Sequence, residues 1–270
     1  MAKLDTHLFQ IGALDELSSG QSVFHTLDPR AKLVTTLVFI GTVVSYGKYE
    51  LSALIPFAIY PLVLISVGGL PFVYLAERVL LVAPFAFFIG IFNPFLDQTI
   101  MIHLGSIPIS GGWISFFSIM LRFVLTVGSA LVLIALTGFH AVCMGLEKLG
   151  VPRPFVVQLL FLYRYLFVLI DEASRMIRAK SLRTFNSRGT KIGTFGSMLG
   201  HLLLRTMDRA QRIHLAMCCR GFDGHVRLIC PLKIGWKETV FVLGWSLLFI
   251  GMRFYNIPEY LGRLVTGYFL

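Results

Sequence analysis

The sequence predicts an all-α integral membrane protein with about five transmembrane helices and a cytoplasmic pair of long amphipathic helices. Three observations carry that expectation. Of 270 residues, 56% are hydrophobic and only 14% charged, with a mean hydropathy of +0.77; soluble domains rarely show such a balance. Five apolar stretches approach or reach the roughly 17–25 helical residues that cross a bilayer core. The net charge of +10 is also unevenly placed. Residues 173–237 hold 13 Lys/Arg against two acids, a net +11, and the rest holds 11 against 12, a net −1. Lys and Arg beside spans face the cytoplasm, so the basic block belongs there. No nucleic-acid partner is expected.

The first twenty residues include Lys3, Asp5, Asp15 and Glu16 and no apolar run, so no cleavable leader is expected. The first span is expected from about Ala31 to Tyr46, after "HTLDPRAKL". Asp28 can cap that helix, Pro29 fits its first position, and Arg30 and Lys32 are expected to anchor its cytoplasmic end. The next spans are expected at Leu51–Leu70 and Phe72–Leu96, separated by Gly68, Gly69 and Pro71. "DQTIMIHLGSIPISGG" then carries no Lys or Arg, as an outside loop should. Trp113–Gly138 and Trp236–Phe254 complete the five. Counted from a cytoplasmic N-terminus, they leave the C-terminus outside. Arg122, inside the fourth span, is costly there; a functional role and a bond to neighbouring carbonyls both remain open.

"FVVQLLFLYRYLFVLI" (Phe155–Ile170) is apolar too, but it is short and carries Arg164 near its middle. A central Arg costs roughly 2.5–3.5 kcal/mol on insertion scales. A crossing here would also put the basic block outside. The stretch is therefore expected to begin a long amphipathic helix along the membrane surface, running to about Arg183. That is about 29 residues, or about 44 Å at 1.5 Å per residue. A second helix is expected over Thr194–Arg220. Its Leu199, Leu203, Thr206, Ala210, Ile213 and Met217 recur at spacings of three and four, one apolar seam. Leu166, Ile170, Ala173 and Ile177 offer the first helix a matching seam. The organisation expected is 1–138 with four spans, 139–235 as the cytoplasmic helix region, and 236–270 with the last span.

The two long helices end alike. A shift of 37 residues lays "DEASRMIRAKSLRTF" (Asp171–Phe185) over "DRAQRIHLAMCCRGF" (Asp208–Phe222). Six positions match: Asp171/Asp208, Ala173/Ala210, Arg175/Arg212, Ala179/Ala216, Arg183/Arg220 and Phe185/Phe222. What the tips share is an Arg followed two residues later by a Phe. A basic residue at a helix C-terminus complements the dipole by about 0.3–1 kcal/mol, and Gly221 suits a left-handed cap. A cap does not require a shared register and a trailing Phe, however. A guanidinium fork suits the carboxylates and carbonyls of a partner groove, so the tips read as a pair of docking prongs.

The cysteines of "AMCCRGF" align with Ser181 and Leu182, which bind no metal. Cys218 and Cys219 are adjacent, whereas zinc sites favour a Cys-x₂₋₄-Cys spacing. No metal site is assigned in the chain. All four cysteines fall on the cytoplasmic side, where free thiols are expected. His7, His25, His103, His140 and His201 lack partners at ligand spacing and read as hydrogen-bonded structural residues.

Together, "HTLDPRAKL", "LEKLGVPRPFVVQLLFLYRYLFVLIDEASRMIRAKSLR", "LLRTMDRAQRIHLAMCCRGFDG" and the order of the spans resemble the transmembrane coupling (T) component of an energy-coupling-factor ABC importer. The likeness covers most of the chain and is to the CbiQ cobalt/nickel branch, which "YRYLF" and "GFDG" favour. The resemblance implies that two Ala-Arg-Gly-like tips of two coupling helices dock into two CbiO-like ATPase subunits. The matching triplets are Leu182-Arg183-Thr184 and Cys219-Arg220-Gly221, with Phe185 and Phe222 beside them. The first keeps only the Arg of the family pattern, and the second has Cys for Ala. It further implies a CbiM-like membrane subunit that binds the metal, a small CbiN-like protein, and a location in a bacterial or archaeal cytoplasmic membrane. No Walker-type glycine loop occurs, so ATP and Mg are expected on the partners, with no catalysis or cofactor in this chain.

Three other readings compete. A T component shared among vitamin-specific carriers is the alternative within the class. A membrane-embedded enzyme would need an acid/base set, for which the chain offers Asp171-Glu172 and the adjacent Glu77-Arg78, read as self-neutralising. Anionic lipid at the basic block is expected alongside the docking role, but it explains neither the repeat nor the seams.

Overall fold

The computed structural model describes residues 15, 17–18, 20, 22–96, 100–104, 107–183, 192–224 and 235–254. They fall into two compact units, one drawn from Gly12–Gly145 and Leu232–Leu270, the other from Leu146–Pro231. The first unit contains α1 (Val23–Thr26), α2 (Pro29–Val44), α3 (Leu51–Gly68), α4 (Phe72–Gly90) and α5 (Asn93–Leu96). A hairpin of β1 (Ile100–Leu104) and β2 (Ile107–Ser110) follows, then α6 (Gly111–Thr137) and α7 (Phe139–Lys148). The second unit holds α8 (Arg153–Arg183) and α9 (Ile192–Cys219), and the first unit is completed by α10 (Trp236–Phe254).

The start of α2 follows from its sequence. Asp28 Oδ1 accepts the Arg30 N–H at 2.9 Å, and Pro29 takes the first turn without wasting a donor. Lys32 corrects an expectation. It is buried, and its Nζ donates to the carbonyls of His25 and Leu136 at 3.2 Å each. Leu136 lies in the last turn of α6, where carbonyls lack helical partners. Lys32 therefore ties α1, α2 and α6 together inside the unit instead of anchoring at the surface.

Around Pro56, which has no N–H to give, α3 tightens into a 3₁₀ turn over Ile55–Ala58. It ends at Gly69, whose φ of 64° is left-handed, with the Leu70 N–H bonded to Ile65 O at 3.1 Å. The third expected span is shorter than its apolar run: α4 stops at Gly90, and residues 93–96 form a separate turn. The reason is Pro94, which has no N–H to continue the helical ladder onto the Gly90 carbonyl. Gly90 also lets α4 approach α6, since a Cβ there would lie 2.9 Å from the Phe116 ring. The expected outside loop contains the hairpin, antiparallel with Ile102 opposite Ile109 and Leu104 opposite Ile107.

An aromatic cluster fills the centre of this unit. Phe39, Phe57, Tyr60 and Phe249 are all buried. Ring centroids lie 4.7 Å apart for Phe39–Tyr60, and 5.2 Å apart for both Phe39–Phe249 and Tyr60–Phe249. Thr36 Oγ1, 3.0 Å from Tyr60 Oη, satisfies the one polar tip. In lipid such packing replaces water release as the source of helix association. The outer face of α4 is the opposite case: Leu80, Leu81, Phe85 and Phe88 are exposed, as lipid-facing residues are.

All five expected spans are helical. By length and composition, four helices of the described residues can cross a membrane: α3, α4, α6 and α8. The other two expected spans differ for simple reasons. α2 has 16 residues, about 24 Å, and α10 carries Lys237, Glu238 and Arg253 near its ends. α8 qualifies because its first half is apolar, although its second half is charged and Arg164 is exposed.

Candidate docking tips and helix crossing

Both long helices form with nearly the expected bounds, and both Arg tips fall at their ends. Arg183 is the last residue of α8, exposed like Leu182 before it. Thr184 and Phe185 lie outside the described residues. Cys219 ends α9, and Arg220 follows, also exposed. Neither Arg has a side-chain partner among the described residues.

The α9 tip is a Schellman cap. Gly221 has a φ of 75°, and the Phe222 N–H reaches back to Met217 O at 3.0 Å. Gly221 therefore serves the cap that its sequence position permits, and the exposed Arg220 precedes it. Phe222 is half-buried, 6.5 Å from the ring of Phe161 on α8. Part of its apolar surface is used within the chain.

The duplicated Asp and Arg positions also recur in space. Arg175 pairs with Asp171 at 3.9 Å one turn back, and Arg212 Nε donates to the Asp208 carbonyl at 3.3 Å one turn back. The seams are only partly as expected. Thr206, Ile213 and Met217 are covered, but Leu199, Leu203 and Ala210 are exposed, and Met198 and Leu202 take the places of the two leucines. On α8, Leu166, Ile170 and Ala173 are half-buried and Ile177 is exposed. The two helices do meet, but over Met198 and Leu202 the covered face of α9 is displaced by one residue from the expected seam.

Between them stands a contact outside the seam. Arg205 Nη1 donates to Glu172 Oε1, joining α9 to α8. Arg205 is not among the seam positions, and Glu172 reads in the sequence only as half of the Asp171-Glu172 pair. Nothing local singles the pair out: α9 also carries Arg209 and Arg212, and Glu172 directly follows Asp171.

Other candidate groups have structural partners. Arg122 donates to the carbonyl of Gly47, in the turn between α2 and α3. Arg253 supports the same turn through Ser45 O at 3.3 Å. Arg78 turns to Tyr74, with Nη2 3.3 Å from its Oη, rather than to adjacent Glu77. His25 lies between Ser22 Oγ at 2.7 Å and Leu17 O at 3.1 Å. Cys218 and Cys219 are exposed free thiols, and Cys218 Sγ lies 3.7 Å from His214 Nε2. Cys143 is buried, which pushes its thiol pKa up. Among the described residues, no three His, Cys, Asp or Glu side chains gather as metal ligands.

An aromatic-cored helical membrane unit, joined in one chain to a pair of long amphipathic helices with exposed basic tips, defines an integral membrane protein. Residues 20–229 match the family model CbiQ, described as cobalt transport protein, and the chain belongs to that family. An uncharacterised protein of Methanocaldococcus jannaschii is 27% identical over 232 residues, 82% of this chain and 78% of that one. The energy-coupling factor transporter transmembrane protein EcfT of Bacillus subtilis is 24% identical over 247 residues, 85% of this chain and 92% of its own. The cobalt transport protein CbiQ of Rhodobacter capsulatus is 29% identical over 98 residues, 34% of this chain and 40% of its own.

Proposed function

We propose that this chain is the non-catalytic transmembrane coupling subunit of an energy-coupling-factor ABC importer. It links ATP hydrolysis by two ATPase subunits to uptake of a divalent metal ion, cobalt or nickel, by a separate membrane subunit. The observation that carries the reading is the pair of amphipathic helices, each ending in an exposed Arg with no side-chain partner among the described residues. Arg183 and Arg220 are the docking groups, with Leu182, Thr184 and Phe185 beside the first and Cys219, Gly221 and Phe222 beside the second. ATP and Mg bind the ATPases, since the chain has no Walker-type glycine loop. The metal binds a CbiM-like subunit assisted by a CbiN-like one.

The test is to express the chain with its candidate ATPases and metal-binding subunit, purify through a tag on this chain, and assay ATP-dependent cobalt and nickel uptake. Co-elution of the ATPases with uptake supports the reading; their absence overturns it. One observation favours a second cargo. The match to the Bacillus EcfT protein covers far more of the chain than the match to the Rhodobacter CbiQ protein. Co-elution of a vitamin-binding carrier without metal uptake would establish the shared T component instead.

The helix pair works on the cytoplasmic side of a bacterial or archaeal cytoplasmic membrane. In a cysteine-labelling scan, Asn186 and Arg227 should react only from the cytoplasm and Gln98 only from outside. Labelling of Asn186 from outside would mean that α8 crosses the bilayer.

A further inference from the structure

We infer that Glu172 and Arg205 form a positioning pair that fixes the crossing of α8 and α9, so that the two Arg tips move as one lever. The inference rests on the coupling reading above. The contacts set the directions. Glu172 meets Arg205, while Phe161, earlier on α8, meets Phe222, later on α9. The helices therefore run oppositely, and their tips lie on opposite sides of the ion pair. Arg183 lies 11 residues beyond Glu172 and Arg220 lies 15 beyond Arg205, about 16 Å and about 22 Å along the helices.

No fully buried core holds this crossing. α9 contains no fully buried residue, and in α8 only Val156 and Leu160 are buried, both well before Glu172. Arg205 is 65% exposed and Glu172 is 23% exposed, so the pair contributes little to folding stability. What it supplies is register. Two helices held by half-buried side chains alone can slide or rotate past each other, and a bidirectional load on their tips would be lost in that slip. A charged pair at the meeting point opposes slip, and the Phe161–Phe222 contact opposes rotation about it.

The experiment uses the full complex carrying Glu172→Arg, Arg205→Glu, or both together. Each single variant sets like charges at the crossing. Each should retain the ATPases but lower metal uptake per ATP hydrolysed by about 2- to 30-fold, the range of coupling mutations. The double exchange rebuilds the pair with reversed sign and should return the ratio to within about twofold. A merely structural role would change expression or thermal stability without this split and rescue. Glu172→Gln and Arg205→Gln repeat the test if a charge reversal fails to insert. Unchanged ratios in the single variants, or a double exchange no better than the singles, overturn the inference.

If the wild-type chain captures no ATPase, the coupling reading fails, and the crossing is tested separately in the chain alone. Nitroxides at Leu182→Cys and Ala216→Cys, with Cys218, Cys219 and Cys230 changed to alanine, should give a narrow distance distribution. It should broaden with Glu172→Arg and narrow again with the exchange. A distribution indifferent to all three variants overturns the positioning role.

Discussion

The two units of this chain bury their apolar residues in opposite ways. In the membrane unit, residues far apart in sequence, Phe39, Phe57, Tyr60 and Phe249, close around one another until almost nothing of them is exposed. In the helix pair, Leu182, Leu199, Leu203, Leu204 and Leu215 are exposed on long amphipathic helices. One unit supplies its own partners. The other presents an apolar stripe and basic tips, the pattern of a surface completed by other molecules. A transport subunit needs both, a rigid body in the bilayer and a part whose contacts change.

The sharpest way to break that comparison is to remove the tips. If Arg183 and Arg220 are desolvated in partner grooves, each change to Ala should cost about 2–5 kcal/mol of ATPase binding, roughly 30- to several-thousand-fold. The double variant should release the ATPases and lose ATP-dependent uptake while remaining folded in the membrane. Pull-down and uptake assays check this. Retention of both by the double variant would reduce the arginines to helix caps, each contributing about 0.3–1 kcal/mol. Arg220, followed by Gly221, should matter at least as much as Arg183.

Truncations compare the interiors directly. Phe249→Ala should destabilise the purified chain by about 3–5 kcal/mol, whereas Leu203→Ala on α9 should stay within about 0.5 kcal/mol. Thermal unfolding in detergent measures both, and equal losses would erase the distinction. Lys32→Met should cost about 1–3 kcal/mol, since the His25 and Leu136 carbonyls lose their charged donor. A variant as stable as the parent would return Lys32 to the surface role read from the sequence. The smallest effect is expected from changing Cys218 and Cys219 to Ser and Ala, which should leave metal uptake largely intact. Loss of uptake with normal assembly would make the Cys218–His214 pair a metal ligand set.

The sequence alone determined the long helices, their approximate bounds and the Arg-bearing ends of α8 and α9. These follow from local rules: apolar run length, the Asp28-Pro29 start, the Gly69 and Gly221 stops, and a 37-residue repeat. Each is decided by neighbours in the chain, so each is written there. The tertiary structure decided what those helices meet. Lys32 reads as an interfacial anchor until the end of α6, more than a hundred residues away, offers it a carbonyl. Arg122 has two open meanings until the turn at Gly47 comes within reach. Leu199 and Leu203 extend a regular seam, yet remain exposed, while Met198 and Leu202 beside them are covered. Glu172 and Arg205 carry no local mark at all. Helical periodicity reports which side chains share a face, but the distance to another helix depends on where both are placed, and only the folded chain fixes that.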